Sequence, residues 1–124
     1  MSRFVFAAAL VVAAPAFADA AYFAAIEDLP LPPGFVERDA GATFESLQGR
    51  LVLSYAEGEL PGREVRDFYY DALPPLGWSV SPQPDGALVF QRGREELSFT
   101  VEQRDGRTRL GARLVVAPAV MDAD

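Results

Sequence analysis

The sequence predicts an α+β fold: an antiparallel β-meander of about five strands with one amphipathic helix packed on one face. Three observations predict it. Apolar residues recur at helical spacing across one segment only, between Pro61 and Leu76. The segments on either side of Asp105-Gly106 alternate in the manner of paired strands, and their registers agree with that turn. There is also no internal repeat and no second stretch of helical pattern. The expected order is one strand or hairpin, then the helix, then four strands, β-α-β-β-β-β.

Taken along the chain, the first element is a leader. Arg3 supplies a positive start, residues 4–14 are apolar without a break, and Pro15 precedes Ala16-Phe17-Ala18. That pattern predicts a signal peptide covering residues 1–18, cut after Ala18 and followed by periplasmic export. A spanning helix needs about 20 apolar residues, and Pro15 and Asp19 cut this run short. No membrane span is expected after cleavage, and no cysteine is available for a lipid anchor. Removing 18 of the 124 residues would leave 106, the size of one domain.

Residues 19–41 read as a proline-rich arm. Residues 19–26 are alanine-rich, able to form a short helix or to stay loose. Pro30, Pro32 and Pro33 then hold the chain extended. Such an arm is expected to serve as a linker or lie along the domain surface, and less often to be a recognition segment.

The domain itself is expected over residues 42–118. Leu51, Leu53 and Tyr55 share one side of a strand, and Phe44 belongs to a short preceding strand turned at Gln48-Gly49. The helix starts near Pro61, a residue suited to a first helical turn. Val65, Phe68, Tyr69, Ala72, Leu73 and Leu76 form its apolar stripe, and Pro74-Pro75 ends it. Trp78 and Val80 open the next strand. A turn at Gly93-Arg94 places Leu88 opposite Phe99 and Phe90 opposite Leu97. The Asp105-Gly106 turn places Leu97 opposite Leu114, Phe99 opposite Ala112 and Val101 opposite Leu110. On the reverse face it pairs Glu102 with Arg109 and Ser98 with Arg113. Residues 119–124 are expected to be a frayed tail.

The run Phe68-Tyr69 followed by Leu73-Pro74-Pro75-Leu76-Gly77-Trp78 resembles a helix-to-strand signature of small exported proteins of alphaproteobacteria. Residues 27–31 and Gly49-Arg50 are similar to the same group, so the likeness covers about residues 27–118. The resemblance implies export and a compact α+β domain, and it implies no activity.

Composition narrows the chemistry. The formal net charge is −7, which argues against nucleic acid and anionic lipid as partners. There is no Cys, so no disulfide holds the fold, and there is no His or Lys. The usual zinc, copper and haem ligands are therefore missing, as are Ser-His, Cys-His and Lys-based catalysis. No glycine-rich phosphate loop precedes the helix, and no metal or cofactor is expected. Paired carboxylates, Glu57 with Glu59 or Glu95 with Glu96, are the one catalytic option left. Both pairs flank turns, where charges stay solvated, so a hydrolase ranks last.

The expected function is a non-enzymatic module that binds a protein of the cell envelope. Arg104, Arg107, Arg109 and Arg113 cluster on the last hairpin, where they either grip anionic groups or pair across strands with Glu102 and its neighbours. Arg107 and Arg109 are the strongest contact candidates, with Tyr70, which falls off the helix stripe, and Pro32 and Pro33 of the arm. The alternative is a carrier of a small amphiphile between helix and sheet, lined by Leu53, Tyr55, Val65, Phe68, Tyr69 and Phe99. The oligomeric state is not fixed by the sequence.

Overall fold

The computed structural model describes residues 21–119. The expected leader, residues 1–18, and the expected tail from residue 120 onward lie outside the described residues. Among the described residues the architecture is α+β: a six-stranded antiparallel sheet with one short helix on one face. The strands are β1 (Val36–Ser46), β2 (Gly49–Gly58), β3 (Ser79–Val80), β4 (Leu88–Arg92), β5 (Glu95–Arg104) and β6 (Arg107–Val116). The helix, α1 (Gly62–Ala72), falls between β2 and β3. Across the sheet the order is β1-β2-β6-β5-β4-β3, so β2 pairs with the last strand and closes the core on both sides of β6. Among the described residues no helix is long and apolar enough to cross a membrane.

The expected registers of the second half hold residue for residue. Leu97 lies opposite Leu114, Val101 opposite Leu110 and Glu102 opposite Arg109, while Leu88 faces Phe99 and Phe90 faces Leu97. The turn chemistry explains this agreement. Asp105 and Gly106 both take positive φ, 54° and 76°, the conformation that a two-residue turn between right-twisted strands requires.

The first half departs from expectation in three ways. The strand count exceeds five because β1 is a full 11-residue strand, beginning at Val36, rather than a short one around Phe44. Its start is masked in the sequence by Glu37, Arg38 and Asp39, charges that an edge strand tolerates. An irregularity between Arg38 and Ala42 further breaks the alternation. The β1–β2 turn is Leu47-Gln48, one residue earlier than expected, which leaves Leu47 almost wholly exposed.

The facing of β2 is the third departure. Val52, Ser54 and Ala56 are buried beneath the helix side, and Leu51, Leu53 and Tyr55 look out from the opposite face, half-buried. The stretch from Leu51 to Ala56 is acceptable in either register, since small residues fit where other elements press closely on the sheet. A one-residue difference exchanges the two faces.

The helix begins after Pro61 and carries Glu64 in its first turn, where a negative charge suits the dipole. Its stripe is narrower than predicted: Val65, Tyr69 and Leu73 are fully buried, Phe68 is half-buried and Leu76 is exposed. Pro74 to Leu76 forms a tight 3₁₀ turn, after which Trp78 re-enters the core. The Tyr69 ring stacks on Phe99, centroids 4.2 Å apart, and Phe90 meets Phe99 edge-on at 6.2 Å. These are favourable aromatic geometries.

Residues 21–35 are neither a loose linker nor a helix. Asp28, with φ 61°, turns the chain so that Tyr22 bridges to Pro30. Phe23 N–H then donates to the Leu29 carbonyl at 3.0 Å, and Leu31 N–H to the Ala21 carbonyl at 2.8 Å. This compact loop inserts Phe23, Ile26, Leu29, Leu31 and Phe35 into the same core as the helix. Tyr69 pins it from below, its hydroxyl donating to the Pro30 carbonyl at 2.9 Å. Arm and helix together cover one face of the sheet.

Candidate functional site

The other face is open, and the strand pairings fix what stands on it. Side chains alternate across a strand, and directly paired residues share a face. Near the β1–β2 turn the open face carries Phe44, Leu51 and Val115 side by side, followed by Ala42, Leu53 and Arg113. Tyr55, Gly111 and Thr100 form the next row, and Glu57, Arg109 and Glu102 the row after it. Arg104 and Arg107 close the face at the Asp105-Gly106 turn. One end is thus apolar, with Phe44 58% exposed, and the other end is charged.

At the charged end, Glu57 gathers two cations. Arg38 Nη2 lies 3.1 Å from its Oε2 and Arg107 Nε lies 4.0 Å from the same oxygen. Arg109 makes no such pair. Its guanidinium sits over the Tyr55 ring, 4.9 Å from the centroid, a cation–π placement. The Tyr55 ring can lie across β6 because residue 111 is glycine. A Cβ there would stand 3.3 Å from the ring and 2.5 Å from Thr100 Oγ1. A depression of about 220 Å³ lies beside this stack, lined by Glu57, Glu102, Arg104, Asp105, Arg107 and Arg109.

The residues singled out from sequence are distributed unevenly. Arg107 and Arg109 share the charged end of the open face. Tyr70 is on the helix side, 39% exposed, with its ring 5.9 Å from Phe90. Pro33 is exposed on the arm. Pro32 must be corrected as a contact candidate: it is fully buried, because the arm folds into the core instead of lying extended along it. The structure adds Arg38 and Phe44, and it places Tyr55, expected to line a ligand pocket, on the open face. Arg38 stands in the segment the sequence predicts as arm, where no strand pattern marks it. For Tyr55 the glycine opposite it in β6 is the signal that marks an aromatic ring lying across the strand.

The carboxylate pairs do not converge. Glu95 and Glu96 are consecutive on β5 and so point to opposite faces. Glu95 is engaged with Arg92 at 3.1 Å, and that arginine lies over Trp78 at 4.3 Å. Glu57 is held by its two arginines. The six residues expected to line a ligand pocket are divided as well. Leu53 and Tyr55 stand on the open face, whereas Val65, Tyr69 and Phe99 fill the core. Among the described residues no group of three or more His, Cys, Asp or Glu is arranged to hold a metal ion.

Burial raises the Tyr69 hydroxyl above the ordinary tyrosine range, because the charged phenolate would be desolvated. With its proton committed to Pro30, this group is structural. Compared with known families, curated proteins and solved structures, the chain finds no match.

Proposed function

We propose that the protein is exported to the periplasm and acts there as a non-enzymatic interaction module, an accessory component of a cell-envelope assembly. The leader pattern of residues 1–18 supports the location. What carries the reading is the contrast between faces: arm and helix bury one side of the sheet, while the other presents an exposed Phe44 beside the partly buried Leu51 and Leu53, next to arginines. An exposed apolar patch rimmed by polar groups is a common mark of a protein contact.

The test is mild affinity purification of tagged protein from its own envelope fraction, with mass spectrometry of what co-elutes. A stoichiometric companion lost on Phe44→Ser or Leu51→Ser substitution is the expected result. Recovery only as a free monomer from periplasmic extract would overturn the reading.

A further inference from the structure

Resting on that reading, we propose that the open face takes an extended acidic segment of the partner protein. One carboxylate of that segment seats on Arg109 where it is stacked on Tyr55, and an apolar side chain seats on Phe44, Leu51 and Val115. Charge supplies the first reason. The chain carries 18 acidic against 11 basic residues, yet this face presents Arg38, Arg104, Arg107, Arg109 and Arg113 against Glu57, Glu96, Glu102 and Asp105. An acidic protein has set its surplus of arginine on the one face it leaves uncovered.

Arg109 supplies the second reason. It stands directly opposite Glu57 on one strand and Glu102 on the other. Nonetheless, among the described residues neither Arg109 nor Arg113 has a carboxylate oxygen within 4 Å; the ion pairs formed there use Arg38 and Arg107 instead. The Tyr55 ring beneath it holds the guanidinium over the face, 4.9 Å from the ring centroid, with its N–H fork not engaged by a carboxylate among the described residues. A planar donor fork already held in place is the arrangement that binds a carboxylate through two parallel hydrogen bonds. The adjoining depression, about 220 Å³, has room for a carboxylate side chain.

Spacing then describes the segment. Val115, Arg113 and Arg109 lie on one side of β6. At about 3.3 Å per residue, Arg113 is roughly 7 Å and Arg109 roughly 20 Å from the apolar end. An extended stretch of about seven residues spans that distance, with an apolar residue at one end and acidic residues near two and six positions away. A lipid surface fits less well, since an anionic bilayer repels a protein of net charge −7.

The experiment is an NMR titration of ¹⁵N-labelled protein expressed with its own leader. The probes are a synthetic heptapeptide of glutamate and serine with one terminal leucine, its lysine-for-glutamate counterpart, and vesicles of phosphatidylglycerol. The glutamate peptide is expected to shift amides around Tyr55, Arg109, Gly111 and Arg113, with affinity falling at least about fivefold when salt is raised. The lysine peptide and the vesicles should leave them unmoved. Arg109→Gln with Arg113→Gln should abolish the shifts while the melting temperature falls by only a few degrees, and Arg109→Gln alone provides a milder check on folding. Equal response to both peptides, shifts confined to the helix side, no shift, or preferential vesicle binding would each overturn the proposal. The two readings fail separately. A partner retained in full by the double arginine variant sinks this inference alone, whereas a responsive peptide with no co-purifying partner sinks the accessory-subunit reading.

Discussion

On the covered face of the sheet, Val52, Ala56, Leu88, Phe90, Leu97, Leu110 and Leu114 are sealed under α1 and the folded arm. On the open face, the same strands present Phe44, Leu51, Leu53, Tyr55 and a row of arginines to solvent. Two strands show the contrast within single elements: in β2 and β6 each residue in the core has neighbours on the open face. The covered face is specified by volume, since every side chain there must fit its neighbours. The open face is specified by charge and by one flat aromatic ring. Substitutions on the first should therefore move stability, and substitutions on the second should move association with little change in stability.

The largest expected effect is on the covered face. Phe90 is fully buried, in edge contact with Phe99 and beside Tyr70. Phe90→Ala should cost about 3–5 kcal/mol, combining lost transfer energy with the cavity left behind. Leu51→Ala, on the open face of β2, should cost less, about 1–2 kcal/mol, because that side chain is only partly buried. Chemical denaturation of both variants checks the pair. Similar losses would mean that the two faces are packed alike.

A second large effect belongs to the arm. Ile26 is 1% exposed, and Leu29 beside it is equally buried. Ile26→Ala should cost about 2–4 kcal/mol in the same measurement. A surface strap would show a change of no more than about 0.5 kcal/mol.

This arm is also where the sequence was least legible. Three prolines within four positions mark an extended backbone, and they gave no hint that Phe23, Ile26, Leu29 and Leu31 would be buried. Irregular segments lack a period, so their burial leaves no pattern to detect. The hairpin around Asp105-Gly106 lies at the other extreme. Its turn allows one register only, and alternation then assigns every side chain on β5 and β6 to its face. β2 falls between them. Both of its faces are apolar enough for either side to be the core, and the choice is made by contacts with β6, 50 to 66 residues away. Arg107 and Arg109 were accordingly visible in the sequence, whereas Arg38 and Tyr55, which complete the arrangement around them, depended on long-range pairing.

A smaller effect separates the pin between arm and helix from the core around it. Tyr69→Phe removes the hydroxyl donor and leaves the Pro30 carbonyl without it, so about 1–2 kcal/mol should be lost. Alkaline pH gives an independent view of the same group. Its folded pKa is raised above the unfolded value near 10, so the unfolded chain releases the proton first. The contribution is intact below pH 10 and is lost as pH climbs from 10 toward the folded value, at up to about 1.4 kcal/mol per unit. Unfolding curves between pH 9 and 11.5 should show the wild type losing stability faster than Tyr69→Phe. Parallel decline would mean that the hydroxyl ionises as freely in the folded protein as in the unfolded chain.

The smallest expected effect sharpens the comparison most. Arg109→Ala removes a guanidinium that is exposed, has no carboxylate within 4 Å among the described residues, and touches the fold through the Tyr55 ring. An exposed cation–π contact is worth about 0.5–1 kcal/mol at most, so the melting temperature should fall by only a few degrees. A loss of about 2 kcal/mol or more would show that Arg109 braces the sheet from outside, and its stacking would then be explained by stability alone. With a loss below about 1 kcal/mol, the flat tyrosine and the glycine beneath it hold a side chain that the fold itself scarcely needs.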